Sequence, residues 1–377
     1  MKVLHVITGL GRGGAEASLV KLVRALPGVR HRIVSLLPEG PLADPARAAG
    51  AEVAALGMGR LPGPYSFARL VREVRDFSPD VVQTWLYHAD LLGLAAARTA
   101  GRVPVAWNLR CSDMDLARYG LATRLVVRLL AMLSTAPEAI VSNSHLAVAH
   151  HQGMGYAARA FCVVPNGFDT ALFCPDAEAR RALRSSWGLA EETPLVGYAG
   201  RLDPMKDLPT LCAALAEAAR RVPALRTVLC GAGLDGRDEG LRALLAGHGL
   251  ADRALLLGPR DDMPRVMASL DCLALSSRSE GFPNVLGEAM ACGVPCVTTD
   301  AGDAALIVGE TGRVVPRGDA AALGRAVADT LLLPEAERAA LGQRAGLRIE
   351  REFSLAAMGA AYLRLWESLA AAASPPS

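Results

Sequence analysis

The sequence predicts an α/β protein with two doubly wound parallel sheets. Short apolar, β-rich runs alternate with helix-length segments along almost the whole chain, which is typical of parallel strands joined by helices. The alternation starts again near Pro194. The length of 377 residues suffices for two domains of ordinary size, each with its own core.

Each series of predicted strands has the size of a six-stranded unit. In the first series the strands are Val3–Thr8, Arg32–Leu36, Val81–Thr84, Val103–Trp107, Ala139–Ser142 and Phe161–Val164. In the second series they are Pro194–Gly200, Thr227–Cys230, Ala254–Leu257, Asp271–Leu275 and Pro295–Thr298. We therefore expect two Rossmann-like domains that face one another across a cleft.

The boundary between the two domains is predicted near residue 170. The segment Val164–Asp169 and a polar stretch rich in Ala and Arg over 175–192 separate the two series, and we expect the hinge there. This gives a first domain over residues 1–170 and a second over 171–353. A final helix over 354–372 carries an apolar stripe and could pack on either domain, including back on the first.

Composition indicates a globular protein. Apolar residues make up 51% of the chain and charged residues 21%, and the net charge of +2 gives no indication of nucleic-acid binding. No apolar run reaches the roughly 18 residues of a membrane span, and the chain begins with a predicted strand in place of a signal peptide. The eight cysteines form no C-x-x-C pair. We expect them in the core of a cytoplasmic protein, with no metal site.

Two carboxylates, Glu280 and Glu288, flank a predicted helix start. Residues 271–275 form an apolar strand, and residues 285–291 have a helix-forming composition. The N–H groups near Asn284–Leu286 would point outward and bind an anion. Because a carboxylate accepts two O–H donors, the two glutamates could hold hydroxyl-rich groups on either side of a phosphate. A sugar nucleotide has this arrangement; two unrelated surface glutamates are the alternative.

A glycine-rich loop follows the first predicted strand. Gly9, Gly11 and Gly14 match G-x-G-x-x-G between a strand and a helix, the fingerprint of nicotinamide and flavin enzymes. The second strand, over residues 31–37, ends without the expected acidic ribose ligand, and no Tyr-x-x-x-Lys pair follows. Glycine also allows backbone to approach a phosphate or a sugar directly. Both interpretations remain open on these residues alone.

A second phosphate-binding segment follows the first strand of the second domain. Within Gly200–Asp207, Arg201 can donate two parallel hydrogen bonds to phosphate, and Lys206 adds a mobile positive charge. Lysine is rare in this chain, which otherwise uses arginine. A solvated pair of charges on a loop is the alternative, but the predicted anion site at Asn284 in the same domain favours phosphate binding.

With these motifs in order, the chain resembles the retaining glycosyltransferase family 4 of GT-B architecture, the "glycosyl transferases group 1". The resemblance covers most of the chain. The segments that carry it are Gly13-Gly14-Ala15-Glu16, Val164–Asp169, Ala199-Gly200-Arg201 with Lys206, Leu257–Arg260 with Asp262-Met263-Pro264, and Glu280–Asn284 with Glu288–Pro295.

The resemblance implies a role for each matching residue. Arg201 and Lys206 would hold the donor diphosphate and stabilise it as the leaving group, with the Gly13-Gly14 backbone at the same phosphates. Glu280 would face the donor sugar, and Glu288 would bind the ribose diol. The remaining donor-binding residues would be Arg260 near the base, with Gly281, Phe282, Asn284, Val285 and Leu286 around the sugar and the phosphates.

The first domain departs from the family pattern. Family members often carry a histidine just beyond the strand predicted here over 103–107, whereas this chain has Asn108-Leu109-Arg110. His88, after the neighbouring strand, could serve the reaction instead or could merely cap the following helix. Glu16, Asn108, Arg110 and Asn143 are the further candidates for the acceptor side.

Three other segments have competing interpretations. Asp113-Met114-Asp115 has the Asp-x-Asp form of metal-dependent glycosyltransferases, but we interpret it as an acidic helix start. The amphipathic run over 116–133 is typical of core packing with a solvated edge, with an anionic membrane surface as the alternative. Asn143-Ser144 follows a predicted strand and is predicted to cap the next helix, with the lining of the cleft as a second role, and His150-His151 is interpreted as a solvated helix end.

The resemblance predicts a metal-independent, retaining glycosyltransferase without a cofactor. It would transfer a sugar from a nucleoside diphosphate, UDP more readily than GDP, to a glycan or lipid-linked acceptor in cell-surface polysaccharide or lipopolysaccharide assembly. We expect it in the cytoplasm or at the inner face of the membrane, with no nucleic-acid partner. The alternatives are a nicotinamide-dependent oxidoreductase or epimerase and a non-catalytic protein that binds nucleotide sugars.

Overall fold

The structure is a computed structural model that describes residues 1–59, 63–110 and 120–373. The chain divides into two compact units. The first unit contains Met1–Gly167 and Leu355–Ser377, and the second contains Phe168–Ser354. Each unit is a parallel sheet flanked by helices, so the predicted α/β class with two doubly wound sheets is confirmed.

The described residues of the first unit contain a seven-stranded parallel sheet. Its strands are β1 (Lys2–Ile7), β2 (Arg30–Ser35), β3 (Glu52–Ala55), β4 (Val81–Trp85), β5 (Val105–Leu109), β6 (Ala139–Ser142) and β7 (Phe161–Val163). The spatial order is β3-β2-β1-β4-β5-β6-β7. Because the order reverses between β1 and β4, the loops after these strands diverge and leave a crevice at the carboxyl edge of the sheet.

The helices of the first unit cover the two faces of this sheet. They are α1 (Gly14–Ala25), α2 (Ala43–Ala48), α3 (Pro64–Phe77), α4 (Tyr87–Ala100), α5 (Leu121–Leu133) and α6 (His145–Gly153). The side chain of Ser144 accepts a hydrogen bond from the Ala147 amide, at 3.1 Å, which confirms the predicted cap of α6.

The second unit contains a six-stranded parallel sheet. Its elements are α7 (Ala177–Ser186), β8 (Leu195–Ala199), α8 (Leu208–Arg221), β9 (Arg226–Cys230), α9 (Glu239–Gly247), β10 (Ala254–Gly258), α10 (Met263–Ala268), β11 (Cys272–Leu275), α11 (Asn284–Ala291), β12 (Cys296–Thr299), α12 (Ala304–Val308), β13 (Arg313–Val315), α13 (Ala320–Leu331) and α14 (Glu335–Glu352). The strand order β10-β9-β8-β11-β12-β13 reverses between β8 and β11. The loops after these two strands carry the cationic segment and Glu280.

The C-terminal helix α15 (Leu355–Ala373) belongs to the first unit. Trp366 is fully buried and donates from its indole nitrogen to the Gln83 side chain at 3.0 Å. The hydroxyl of Tyr362 accepts a hydrogen bond of 2.8 Å from the Asn108 amide. Both partners lie on strands of the sheet, so α15 is joined to it by buried hydrogen bonds as well as by apolar contact.

The structure corrects three details of the sequence analysis. Strands β3 and β13 were not among the predicted strands; each is short, and their sequences (Glu-Val-Ala-Ala and Arg-Val-Val) lack a long apolar run. His151 is fully buried, which contradicts a solvated end for its helix. Its Nδ1 donates to the Ala147 carbonyl at 2.7 Å, so Nε2 accepts a hydrogen bond of 2.8 Å from the Tyr87 hydroxyl.

The described cysteines all carry free thiols, and Cys212, Cys230, Cys272, Cys292 and Cys296 are buried. Burial raises the pKa of Cys230 to about 11, so its thiol stays protonated at neutral pH. Within the described ranges, no helix is both long enough and apolar enough to cross a membrane.

Candidate active site

The candidate site of the second unit is built on two loops at the carboxyl edge of its sheet. The cationic loop, residues 200–207, follows β8 and includes a short 3-10 helix over Pro204–Lys206. The glutamate loop, residues 276–283, follows β11 and leads into α11. These strands are the neighbours at which the strand order reverses, where ligands of doubly wound sheets bind.

Hydrogen bonds connect the two loops at several points. The Ser276 hydroxyl donates to the Lys206 carbonyl at 2.8 Å, and the Arg278 amide donates to the Met205 carbonyl at 2.8 Å. The Arg278 guanidinium donates to Asp207 from Nε at 2.8 Å, while Asp207 also caps α8. Side chains on the two loops are therefore held in a fixed relation to one another.

This relation brings Lys206 and Glu280 into direct contact. The Lys206 ammonium lies 2.5 Å from Glu280 Oε1, and the Ser277 hydroxyl donates to the same oxygen at 2.6 Å. The exposed fractions are 20% for the lysine side chain and 12% for the glutamate side chain. The pair is thus partly withdrawn from water, where its charges interact more strongly than a surface pair does.

Arg201 occupies a different environment on the same loop. Its side chain is 75% exposed, and its guanidinium lies 3.8 Å from the Asp203 carboxylate. Asp203 is itself fixed, because it accepts a hydrogen bond of 2.9 Å from the Met205 amide. The guanidinium is therefore available to a ligand, but the protein does not orient it as firmly as Lys206.

Helix α11 places the remaining residues of the Glu280–Glu288 motif. It begins at exposed Asn284, and Pro283 at its start offers no side-chain acceptor to the first amides. Glu288 lies one turn further on and is half-buried. The structure is therefore compatible with the predicted geometry, in which an amide-lined helix start lies between two carboxylates.

The aromatic ring of the glutamate loop lies in the core. Phe282 is buried and stacks on Phe168 with ring centroids 6.1 Å apart. A Cβ on Gly287 would lie 2.1 Å from the Phe168 ring, so only glycine fits there. Leu286 is fully buried, and Val285 is half-buried. Phe282 and Leu286 therefore anchor the loop and the helix to the core, and their side chains are not placed to line a ligand pocket.

The Gly281 backbone is held from the other side by the turn after β12. The Asp303 amide donates to the Gly281 carbonyl at 2.9 Å. At Gly302, with φ +59, a Cβ would lie 2.1 Å from the Glu280 carbonyl oxygen. Both the positive φ and the close approach require glycine at this position.

Arg260, predicted near the base, is engaged with its neighbour Asp262. Its Nε and Nη2 donate to the two carboxylate oxygens at 2.7 and 2.6 Å. This bidentate pair raises the pKa of Arg260 and lowers that of Asp262. A base in contact with Arg260 would therefore meet a guanidinium that Asp262 already orients.

Tyr198 is a site residue that the sequence analysis missed. It is 1% exposed on β8, and its buried hydroxyl has no hydrogen-bond partner among the described residues. Desolvation raises its pKa, with further contributions from Glu280 and Asp203. A Cβ at Gly200 would lie 2.6 Å from the Tyr198 hydroxyl, so the phenol lies against the start of the cationic loop. The available signal was a tyrosine two residues before Gly200 on a strand otherwise filled by small and aliphatic residues.

In the first unit, the candidates of the glycine loop lie at the start of α1. Gly13 precedes the helix. A Cβ added at Gly13 would lie 2.2 Å from the Glu16 carboxylate, because the Glu16 side chain fills this space. Gly14 is the first helical residue and is open on its Cβ side. The half-buried Glu16 therefore lies beside Gly13, one of the two glycines that the resemblance assigns to phosphate binding.

His88 is the second residue of α4 and does not cap it, since α4 has no side-chain cap. It lines a cavity of about 210 Å³ together with Thr8, Leu36, Leu37, Met58, Gly59 and Leu92. Partial desolvation lowers the pKa of His88, so its imidazole is neutral at pH 7 and can accept a proton. Among the described residues that line this cavity, His88 is the one whose side chain titrates near neutral pH.

Asn108, Arg110 and Asn143 lie at the carboxyl ends of β5 and β6. Asn108 is fully buried, and Arg110 donates to the Asn166 side chain at 2.7 Å. Each of the three has buried oxygen or nitrogen atoms that lack a hydrogen-bond partner among residues 1–59, 63–110 and 120–373. Asp113 and Asp115, predicted as an acidic helix start, lie outside the described residues.

Two family profiles match the chain. The family described as "Glycosyltransferase Family 4" matches residues 12–172, and "Glycosyl transferases group 1" matches residues 193–332. A GDP-mannose-dependent alpha-(1-6)-phosphatidylinositol monomannoside mannosyltransferase of Mycobacterium tuberculosis is 31% identical over 340 residues, which cover 85% of this chain and 86% of that protein. The chain belongs to glycosyltransferase family 4.

Other members of the family are similar over a shorter stretch. A D-inositol 3-phosphate glycosyltransferase of Segniliparus rotundus is 31% identical over 224 residues, 58% of this chain and 48% of that protein. The family 4 chain thus spans about half the length of several curated relatives that it matches.

Solved structures show the same fold. The structure of Anabaena Alr3699/HepE in complex with UDP superposes with a TM-score of 0.81 at 24% identity, and the match covers 98% of this chain and 100% of the Alr3699/HepE chain. Sucrose-phosphate synthase from Thermosynechococcus elongatus has a TM-score of 0.78 at 21% identity, and the match covers 99% of this chain and 100% of the synthase chain. The architecture is GT-B, with two Rossmann-like domains.

Proposed function

We propose that this family 4 glycosyltransferase transfers a sugar from a nucleoside diphosphate to a hydroxyl group of a glycan or lipid-linked saccharide, with retention of configuration. The contact between Lys206 and Glu280 carries this proposal. It joins a cation suited to a diphosphate and a carboxylate suited to sugar hydroxyls in one partly buried pair, beside the amide-lined start of α11.

In the proposed reaction, the bond between the anomeric carbon and the diphosphate oxygen breaks as the acceptor oxygen approaches from the same face. The leaving phosphate oxygen takes the acceptor proton, so the protein does not need to supply a strong base. Lys206, Arg201 and the first amides of α11 offset the negative charge that develops on the diphosphate. The proposal therefore requires no metal and no cofactor.

The donor is the part of the proposal that binding experiments address most directly. We propose UDP in preference to GDP, and the Mycobacterium tuberculosis relative is named for GDP-mannose, so both are compared. At a free concentration of about 100 times its Kd, a nucleotide that binds only the folded protein adds roughly 2.7 kcal/mol to the free energy of unfolding. UDP, GDP and ADP are titrated while Tm is followed, and the matching nucleotide sugars are then tested for turnover.

Replacement of Glu288 separates specific binding from general stabilisation. We expect Glu288→Gln to lose most of the Tm increase given by the preferred nucleotide, because an amide accepts the two ribose hydroxyls less strongly than a carboxylate does. Glu337→Gln, an exposed glutamate on α14, is the matched control and should keep the full increase. Equal nucleotide responses in both variants would contradict the ribose assignment, and no response to any nucleotide in the unaltered protein would contradict the proposed function.

A membrane-associated acceptor is supported by α5. Four apolar side chains spaced along this helix are exposed: Leu121 (74%), Leu125 (63%), Leu129 (40%) and Met132 (81%). Its basic residues are the half-buried Arg124 and the exposed Arg128. An exposed apolar stripe beside arginines fits an anionic lipid surface, and we propose such peripheral contact, at the inner face of the cytoplasmic membrane, during polysaccharide or lipopolysaccharide assembly.

Vesicle sedimentation tests this contact. The protein is expected to sediment with vesicles of phosphatidylglycerol and phosphatidylcholine, and less with phosphatidylcholine alone. Replacing both Leu121 and Leu125 by serine should abolish most of this binding with little effect on Tm, since exposed positions tolerate substitution. Leu172→Ser, at a 55% exposed leucine of the second unit, is the control. Unchanged sedimentation of the α5 variant would show that another surface binds the vesicles.

A further inference from the structure

Arg110 of the first unit is a half-buried cation with incomplete hydrogen bonding. It follows β5, and its guanidinium carbon lies 4.9 Å from the centre of the Trp85 ring. One nitrogen, Nη1, donates to Asn166 Oδ1 at 2.7 Å. The other two, Nε and Nη2, are inaccessible to solvent and have no hydrogen-bond partner in the part of the chain that the structure describes. The described residues give Arg110 no carboxylate to neutralise its charge.

Arg184 of the second unit shows how this chain treats a buried guanidinium that serves the fold. It is 1% exposed, and each of its nitrogens has a partner. Nε donates to the Ser269 carbonyl, Nη1 to the carbonyls of Glu191 and Thr193, and Nη2 to Asp271 at 2.7 Å. By comparison, Arg110 has two unused donor atoms, and no acidic group within the described ranges offsets its charge.

The neighbours of Arg110 include unused acceptors. The Asn108 amide donates to Tyr362, but its oxygen Oδ1 is buried without a partner. The strand register that pairs Leu109 with Ser142 puts Asn143 beside Arg110, and Asn143 Oδ1 is also buried without a partner. Anionic oxygens suit the guanidinium donors, whereas O–H groups suit the amide oxygens.

Leaving buried polar groups of this kind without partners destabilises a protein. Burial also lowers the pKa of Arg110, because desolvation disfavours the charged form, although the guanidinium keeps its proton at neutral pH. An anion that contacts Nε and Nη2 would satisfy two donors and neutralise the charge. This combination of an unsatisfied cation and unsatisfied oxygen acceptors is the pattern expected of a ligand site, not of a purely structural cluster.

We propose that Arg110 binds the anionic group of the acceptor, a phosphate ester carried by a saccharide or polyol whose hydroxyl groups donate to Asn108 and Asn143. The identification of the ligand as the acceptor rests on the proposed function. Phosphate binding at Arg110 does not depend on it. The guanidinium presents two parallel donors to two phosphate oxygens, which is the geometry it binds best.

Inorganic phosphate is the probe, and the full chain is used throughout. The donor site also binds phosphate, so the titration is made on Lys206→Gln and on the double variant Lys206→Gln/Arg110→Gln, with Tm as the readout at constant ionic strength. We expect phosphate to raise Tm in the first and to bind roughly 10- to 100-fold more weakly in the second, as for the loss of charge-assisted hydrogen bonds. Equal phosphate responses in the two proteins would overturn the proposal.

Two further variants separate binding from folding. In phosphate-free buffer, Arg110→Gln should have a Tm equal to or above that of the unaltered protein, because it removes an unsatisfied buried charge; a large loss of Tm would mark a structural arginine and overturn the proposal. Arg98→Gln, which removes a part-buried arginine paired with Glu138 in the same unit, should lower Tm and keep the phosphate response.

Nucleotide binding distinguishes the two proposals. Arg110→Gln should leave the stabilisation by UDP or GDP unchanged, since these bind the second unit. If the variant instead loses nucleotide binding, Arg110 contacts the donor and the acceptor assignment is wrong. If no nucleotide stabilises the unaltered protein but phosphate still acts through Arg110, the phosphate site stands and the proposed function fails.

Discussion

Replacing Lys206 by alanine is expected to lower kcat for sugar transfer by about 30- to 1000-fold, which corresponds to roughly 2–4 kcal/mol of transition-state stabilisation. The ammonium group is held 2.5 Å from Glu280 and is only 20% exposed. Its charge is therefore preorganised in a partly dry site, where it costs little reorganisation when the diphosphate leaves. Because leaving-group charge grows only in the transition state, kcat should fall more than KM rises.

The Lys206→Ala change also leaves Glu280 without its cationic partner, so the loss has two components. The double variant Lys206→Ala/Glu280→Gln separates them. If part of the defect comes from the uncompensated carboxylate, the double variant will be less impaired than the sum of the single variants predicts. Lys21→Ala on α1 is the control lysine and should retain full activity. Undiminished turnover by Lys206→Ala would show that the leaving-group assignment is wrong.

The sequence predicted the fold well because the fold depends on local patterns. Alternation of apolar strands with helix-length segments identified the two series of strands, and the cap of α6 was predicted from Asn143-Ser144. Strands β3 and β13 were missed because they have only four and three residues, too few to form an apolar run that stands out in the sequence. Such strands are stabilised by pairing with β2 and β12, which a local pattern does not reveal.

The candidate site was predictable in its residue types and less so in its contacts. Lys206 and Glu280 are separated by 74 positions, and their contact depends on the adjacency of β8 and β11. The sequence also gave no ranking of Arg201 and Lys206, whereas the structure exposes the first and pairs the second. Neither the unpaired hydroxyl of Tyr198 nor the unsatisfied nitrogens of Arg110 were predictable, because burial without a partner is a property of the packed molecule.

Acidification is expected to destabilise the first unit through His5 and His31. The two rings are buried side by side on β1 and β2, with His5 Nε2 lying 3.0 Å from His31 Nδ1. The Trp85 indole donates to His5 Nδ1 at 3.3 Å, so His5 carries its proton on Nε2 and donates it to His31. His31 then donates from Nε2 to the Leu26 carbonyl, at 3.2 Å. This chain of hydrogen bonds requires both rings to be neutral.

The direction of the pH effect follows from the lowered pKa values. Desolvation lowers the pKa of His31 to about 4 and that of His5 well below its usual value, with the neighbouring His31 contributing to the latter. In the unfolded chain both titrate near 6.5. Between about pH 6.5 and 4 the unfolded state therefore binds more protons, and the free energy of unfolding falls as pH falls. For His31 alone the loss by pH 4 is on the order of 3 kcal/mol.

Other buried groups also titrate in this range, so the experiment compares variants. His151 has a pKa lowered to about 4 by burial and acts in the same direction, whereas burial raises the pKa of Asp90 to about 8, which opposes it. His31→Gln keeps the hydrogen-bond chain, because glutamine accepts from His5 and donates to Leu26, but it removes one titrating group. Urea unfolding from pH 7 to 4 should give a smaller loss of stability for this variant than for the unaltered protein, and His145→Gln, at an exposed position of α6, should not change the loss. If His31→Gln and the unaltered protein lose stability in parallel, the two histidines are not held neutral by the fold.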